Sequence, residues 1–376
     1  MDGVTTALSS LQLPWFTWAS VVIDRYFYLL LFLLAFALYI VYPSVRKNKL
    51  KLWAFALALL LVCSAVIALK TAYSAPRICV SDKLGYCPSD YSFPSGHTAF
   101  AFTFAGASLG TTLFPLFFLI AIITAISRMY LGVHSLNDVI AGAGLALGIY
   151  FFVQDALLHY YRKRFRKWAP PKQKPADVHF GLGKLVGWSN KHSFEFRRQV
   201  SHITYGTIII ALIYFLGTAK AEILLLCALF LGMTAMHLRM EKKRAPVVDY
   251  LFDLLERPMV MPAKGAFMYT VGAMLALSFL GNLDYALAVL AVVAWGDGMA
   301  TVFGRHGKAK LPYNKKKTVL GTIAFAAFGF AAASLFIGWA ALPLAILAAL
   351  VESLETKMDD NFVIPVACIA FLTVFG

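Results

Sequence analysis

Apolar stretches of membrane-spanning length dominate the chain. They run at about 21–42, 52–69, 96–113, 115–130 and 137–160, and resume at 200–217, 221–236, 265–281, 283–303, 319–338, 339–354 and 361–376. A bilayer core takes about 20 residues of helix, and such runs must satisfy their own backbone hydrogen bonds. Only 14% of the 376 residues are charged, against roughly a quarter in soluble domains. The loops between the runs leave no room for a sizeable water-soluble domain. The expected fold is therefore an all-α polytopic membrane protein. It divides into two helical bundles, of about five and seven transmembrane helices, after a short interfacial N-terminal segment.

The gap between the bundles contains RKRFRKWAPPKQK, a basic, Pro-broken run that reads as a linker. This gives three regions: a bundle over 1–160, a linker over 161–194 and a second bundle over 195–376. Alternating the loops from an outside N-terminus leaves 28 Lys and Arg on the inner side and six on the outer side. Basic residues near helix ends stay cytoplasmic, so this split sets the expected orientation. It also accounts for the net charge of +15 through anionic lipid headgroups, with no nucleic acid partner required. The N-terminus carries no removable signal peptide pattern. Cys63, Cys227 and Cys368 lie in apolar runs as small hydrophobes. Cys79 and Cys87 share a loop, either as a disulfide in an oxidising compartment or as free thiols.

Three of the six outer cations belong to one constellation. Lys70 lies seven residues before Arg77 at the end of the second run, and Pro94-Ser95-Gly96-His97 opens the third. Ser127-Arg128 closes the fourth, and His134 and Asp138 open the fifth. Fixed cations suit the charge that develops on a transferring phosphoryl group. Ser95 and Gly96 at a helix start offer backbone N–H groups to a phosphate. His134 and Asp138, four apart, share a helix face, so the carboxylate can hold one imidazole nitrogen and free the other. Taken singly, Lys70 is also a snorkelling anchor and Ser95 also a helix cap. It is the whole set on one side that argues for a site.

These residues resemble the type 2 phosphatidic acid phosphatase/haloperoxidase superfamily over about 20–160. Its motifs are Lys-x6-Arg-Pro, Pro-Ser-Gly-His and Ser-Arg-x5-His-x3-Asp. The first departs from the pattern, with Ile78 after Arg77 and Pro76 before it. The resemblance implies His134 as the nucleophile forming a phosphohistidine and His97 as the acid on the leaving oxygen, with Asp138 as the catalytic carboxylate beside His134. Lys70, Arg77, Ser95, Gly96 and Arg128 would bind phosphate, and no cofactor is implied.

In the second bundle the polar residues gather towards the other side. Asp297 interrupts an apolar run, and intramembrane carboxylates are functional by default. The loop after it carries Gly304-Arg305-His306-Gly307-Lys308 and Asn314-Lys315-Lys316-Lys317-Thr318, without a Walker pattern. Further on come Glu352, Asp359, Asp360 and Asn361. With Glu195-x2-Arg198-x3-His202, Pro262-x-Lys264-Gly265-Ala266 and Gly296-Asp297-x2-Ala300, this half resembles the lipid-alcohol kinases. That family includes dolichol kinase, phytol kinase and the CTP-dependent diacylglycerol kinase. Leu320 stands where many relatives carry Glu. The resemblance implies transfer of the CTP γ-phosphate to a lipid hydroxyl. Asp297 is the candidate Mg²⁺ ligand, with Glu352 and Asp360 as further metal candidates. Gly298, Arg305, Lys308, Lys315, Lys316, Lys317 and Thr318 are the nucleotide candidates. Each loop lysine is equally readable as a positive-inside anchor.

Together the halves suggest a bifunctional enzyme of carrier-lipid recycling. An extracytoplasmic site would hydrolyse a polyprenyl or dolichyl (di)phosphate, and a cytoplasmic site would rephosphorylate the alcohol with CTP and Mg²⁺. Its partners would be lipid phosphates, lipid alcohols and membrane lipid. Two alternatives stay open: a phosphatidate phosphatase paired with a diacylglycerol kinase, and a lipid transporter or scramblase that keeps a phosphate site only for binding. Transporters, however, place substrates near the midplane.

Overall fold

Apolar runs separated by Gly, Pro and polar turns fold as helices, and the computed structural model is all-α. It describes residues 2–41, 49–164, 191–243, 246, 261–354, 356 and 358–376. Of the linker expected over 161–194, residues 165–190 lie outside the described residues, and its two ends continue the flanking helices to Arg164 and from Lys191. Among the described residues seven helical spans are long and apolar enough to cross a membrane by length and composition, one of them running from Val319 to Ser353 through the turn at Gly338. Exposed Trp15, Trp18, Phe215, Leu335 and Trp339 suit a lipid surround better than water. The protein is a multi-pass membrane protein. The chain divides into two compact units, Met1–Arg164 and Phe165–Gly376.

The first unit comprises α1 (Gly3–Ser10), α2 (Pro14–Val41), α3 (Lys49–Tyr73), α4 (Gly96–Ser108), α5 (Phe114–Tyr130) and α6 (Leu136–Arg164). α2 begins well before the expected residue 21, with Pro14 at its first position, where a missing N–H costs nothing. α4 stops at Ser108 and not at 113. Gly110 turns there with φ +70°, and Thr111 donates to the Ser108 carbonyl at 2.6 Å. α4 is the buried centre, packed by α3, α5 and α6, and its small residues Ala99, Ala101 and Ala105 allow that approach. The closest approach is at Gly142 of α6, where a Cβ would lie 2.6 Å from the Ser95 carbonyl oxygen. That contact docks the start of α4 onto the first turns of α6.

α1 has a local task. Asp2 caps it by accepting from Thr5 N at 2.7 Å. Asp2 Oδ2 and Thr5 Oγ1 each accept from Leu136 N at 3.1 Å, so the N-terminal segment also closes the start of α6.

The second unit comprises α7 (Lys191–Leu216), α8 (Thr218–Met240), α9 (Lys264–Phe279), α10 (Leu283–Ala291), α11 (Gly298–Gly304), α12 (Val319–Ile337), α13 (Ala341–Ser353) and α14 (Asp360–Phe375). α10 and α11 are one rod, joined through a wide π-helical turn at Val292–Asp297. Such turns mark functional positions more often than chance. The rod is the core of the unit, with α7, α12, α13 and α14 around it. α12 and α13 are separate helices, broken by Gly338 at φ +56° and a short turn over Gly338–Ala340.

Candidate active sites

The first site grows from two helix starts and the loop that precedes them. Ser135 and Asp138 cap α6 reciprocally. Asp138 Oδ2 accepts from Ser135 N at 2.9 Å, and Ser135 Oγ accepts from Asp138 N at 3.2 Å. The same Oδ2 lies 3.3 Å from His134 Nδ1 and accepts from the Ser92 hydroxyl. Arg77 Nη1 donates to His134 Nε2 at 3.0 Å. Guanidinium has no acceptor, so Nε2 must hold the lone pair and Nδ1 the proton that faces Asp138. The nitrogen that keeps its lone pair is thus the one on the cation side. Burial drives the His134 imidazole down to about 4, with Asp138 opposing the shift and Arg77 and Arg128 adding to it.

Lys70, at the end of α3, and Arg77 converge on Asp90. The Lys70 ammonium lies 2.6 Å from Asp90 Oδ2, and Arg77 Nη2 lies 2.6 Å from Oδ1. Burial raises the Asp90 carboxyl, but the hydrogen bonds and charges of Lys70 and Arg77 outweigh it and hold the group below its ordinary value. Arg128 is buried at the end of α5. It pairs through Nη1 with Asp24 Oδ1 of α2 at 2.5 Å and donates to the Ser20 carbonyl at 3.3 Å. Ser95 N donates to the Asp138 carbonyl at 2.9 Å, and its hydroxyl lies 3.0 Å from that of Thr98. Gly96 is followed by His97, whose ring lies tilted against Phe27 at 5.2 Å and Tyr28 at 5.0 Å between centroids. His97 Nε2 is buried and has no hydrogen-bond partner in the described structure.

Asp24, Asp90 and Ser92 were not singled out from sequence. Asp24 stands inside an apolar run and was the available signal, as an intramembrane carboxylate. Asp90 and Ser92 sit in an irregular loop and carry no periodic mark. Cys79 and Cys87 form a disulfide in that loop.

In the second unit Asp297, Glu352 and Asp360 come together. One carboxylate oxygen from each lies within 4.8 Å of the others. Lys317 reaches into the cluster, hydrogen-bonded to Glu352 and 3.3 Å from Asp360 Oδ2. Burial works against its charge, yet Asp360 and Glu352 outweigh it and raise the ammonium above its ordinary value. Three carboxylates around one point are a hard oxygen donor set of the kind Mg²⁺ takes. His202 of α7 adjoins this cluster, with Nε2 at 3.7 Å from Asp297 Oδ2.

The other nucleotide candidates separate by environment. Arg305, Lys308, Lys315 and Lys316 are exposed. Thr318 is buried, caps α12 by accepting from Gly321 N at 3.1 Å and donates to the Gly304 carbonyl at 3.0 Å. Gly298 faces α7, where a Cβ would lie 2.4 Å from Ile203 Cγ1. Buried Asn314 donates to the Ser353 carbonyl at 2.9 Å, and this ties the loop to the end of α13 beside Glu352.

Comparison with known proteins assigns the two regions separately. Residues 51–166 match the PAP2 superfamily model. An uncharacterised protein of Methanocaldococcus jannaschii is 29% identical over 46% of this chain and 88% of its own. A probable chloroplastic phytol kinase of Oryza sativa subsp. japonica is 28% identical over 62% of this chain and 73% of its own. The chloroplastic farnesol kinase of Arabidopsis thaliana is 39% identical over 21% of this chain and 32% of its own. No solved structure matches the chain. Residues 51–166 thus form a PAP2 superfamily domain, joined in one polypeptide to a region homologous to phytol and farnesol kinases.

Proposed function

We propose that the protein recycles an isoprenoid lipid through two active sites. The first unit hydrolyses an isoprenyl (di)phosphate on the extracytoplasmic side. The second phosphorylates the isoprenoid alcohol on the cytoplasmic side, with CTP as donor. What carries the reading is the occurrence in one chain of a His134–Asp138 pair ringed by cations and a carboxylate trio with a lysine in it. The names of the kinase relatives, phytol and farnesol kinase, favour an isoprenoid alcohol over diacylglycerol.

In the first site Lys70, Arg77 and Arg128 hold the phosphate oxygens, with Gly96 and His97 at the start of α4 presenting backbone N–H groups, since the N–H of Ser95 is taken by the Asp138 carbonyl. His134 Nε2 attacks the terminal phosphorus while its bond to the leaving oxygen breaks, the lipid oxygen of a monophosphate or the bridging oxygen of a diphosphate, and His97 gives that oxygen its proton. Water then attacks the phosphohistidine, returns a proton to His97 and releases inorganic phosphate. Asp138 keeps Nδ1 protonated and stabilises the charged ring as the P–N bond forms.

In the second site Asp297, Glu352 and Asp360 would hold Mg²⁺, which supplies charge neutralisation for a bound triphosphate. Lys317 adds a fixed cation within the same cluster. Arg305, Lys308, Lys315 and Lys316 surround the approach with positive charge, and Gly298 lets α7 pack closely beside Asp297.

The test uses purified protein in detergent with CTP, ATP or no nucleotide, and a panel of prenols, diacylglycerol and their phosphates. His134→Ala should abolish phosphate release and spare phosphorylation, and Asp297→Ala should do the reverse. Phosphate release alone under every condition would end the recycling proposal.

A further inference from the structure

The phosphate pocket of the first unit already holds an anion, and that anion belongs to the chain. Asp90 Oδ2 sits 2.6 Å from the Lys70 ammonium. Its Oδ1 sits 2.6 Å from Arg77 Nη2 and 3.0 Å from Nε. The backbone of the same loop adds to the grip. The Asp90 carbonyl accepts from Arg77 Nε at 3.1 Å, and the Tyr91 carbonyl accepts from Lys70. One carboxylate therefore takes the contacts that two oxygens of a phosphate would take from these cations. Arg77 also lies on His134 Nε2, so the cation that Asp90 holds is the one that covers the nucleophile.

The two acids of the site differ in exposure. The Asp24 side chain is 8% exposed and fixed between helices against Arg128. The Asp90 side chain is 55% exposed and stands on a loop between α3 and α4. Asp24 is built into the core, whereas Asp90 can leave.

We propose that Asp90 is a specificity-determining residue, a tethered competitor that a doubly charged terminal phosphate displaces and a singly charged phosphodiester does not. This rests on the phosphatase reading of the same site. A terminal phosphate brings two charges to Lys70 and Arg77 in exchange for one, so the exchange gains Coulomb energy. A phosphodiester exchanges one charge for one and loses the loop's backbone contacts as well. The distinction matters in a bilayer, where phosphodiester headgroups surround the site at far higher concentration than any phosphomonoester. A competitor in the same chain acts at an effective concentration of about millimolar or more, whatever the dilution of the protein. It selects by what it keeps out.

The test is ligand binding to the full-length protein in detergent, which requires no turnover. Orthovanadate, inorganic phosphate and dimethyl phosphate are titrated calorimetrically into wild type, Asp90→Asn and Asp90→Ala. Melting temperatures establish that both variants are folded. Both should bind orthovanadate and phosphate about tenfold more tightly than wild type and gain measurable affinity for dimethyl phosphate. With a short-chain isoprenyl phosphate, KM should fall further than kcat. Unchanged or weaker anion binding by both variants would overturn the inference and make Asp90 a positioning residue for Lys70 and Arg77. If no variant and no wild type binds any of the three anions, the phosphate site itself is wrong, and the inference falls with it.

Discussion

Arg128 and Asp24 form a buried ion pair, Nη1 to Oδ1 at 2.5 Å, with side chains 1% and 8% exposed. Arg128 lies within the PAP2 match and Asp24 before it, so the domain borrows α2 to hold one of its cations. Removing one partner of a buried pair leaves a lone charge and costs about 3–5 kcal/mol, whereas replacing both with apolar groups is close to neutral. Asp24→Asn should therefore lower the melting temperature sharply and abolish phosphate release. Asp24→Leu with Arg128→Met should recover the melting temperature and leave hydrolysis absent.

The pH dependence of hydrolysis tests His134. Its folded imidazole sits at about 4 because of burial, while the unfolded value is near 6.5. Between those values the unfolded chain binds a proton that the folded chain does not, so stability falls as pH falls from about 6.5 towards 4. The ring stays neutral through the same window. After correction for substrate ionisation, kcat/KM should show no His134 inflection near 6.5 and an acid limb well below it. A limb at 6.5 would mean that burial does not control the nucleophile.

Gly298 sets the distance between α7 and the rod that carries Asp297. A Cβ there would fall 2.4 Å from Ile203 Cγ1 and 2.6 Å from its Cδ1. A β-branched neighbour has little room to turn aside, and overpacking of this kind costs about 1–3 kcal/mol. Gly298→Ala should reduce phosphorylation of the alcohol at least tenfold with phosphate release unchanged. Adding Ile203→Ala should restore much of the lost activity.

Lys317 neutralises part of the carboxylate trio, and its raised ammonium value reflects Asp360 and Glu352. Its charge is present in both folded and unfolded chains below the ordinary lysine range. The extra folded-state stability is lost as pH rises through the raised value. Mg²⁺ should raise the melting temperature of wild type, since a ligand at 100 times its Kd stabilises by about 2.7 kcal/mol. Asp297→Asn with Glu352→Gln should erase that rise, and Lys317→Met should enlarge it. Thermal melts with and without a chelator provide the reading.

The Cys79–Cys87 disulfide joins positions eight apart in the loop that carries Arg77 towards Asp90. Loop-closure entropy for so short a ring is worth about 2.5 kcal/mol. Reductant should lower the melting temperature, and a thiol reagent should label two more cysteines after reduction than before. Cys79→Ser should show the lower melting temperature with or without reductant.

Much of the first site was legible because its residues stand out against apolar helices. Lys70, Arg77, Arg128, His134 and Asp138 are polar positions at the ends of spanning runs, and the spacing of His134 and Asp138 is a local property of one helix start. Asp297 was legible for the same reason, as a charge where lipid or protein must enclose it. Helix type, the break between the bundles and the charge bias along the chain also follow from local composition.

What pairs with these residues was decided only by the tertiary structure. Asp24 meets Arg128, Asp90 takes Lys70 and Arg77, and Glu352 and Asp360 join Asp297 through contacts between helices distant in sequence. Among three consecutive lysines only Lys317 turns into the carboxylates, while Lys315 and Lys316 are exposed. Thr318 beside them became the cap of α12. Sequence spacing specifies which residues share a turn of one helix. It does not specify which carboxylate will neutralise a given cation, because that depends on how closely two helices approach. Here that approach is set at small residues such as Gly142 and Gly298, where the chain leaves room for its neighbour.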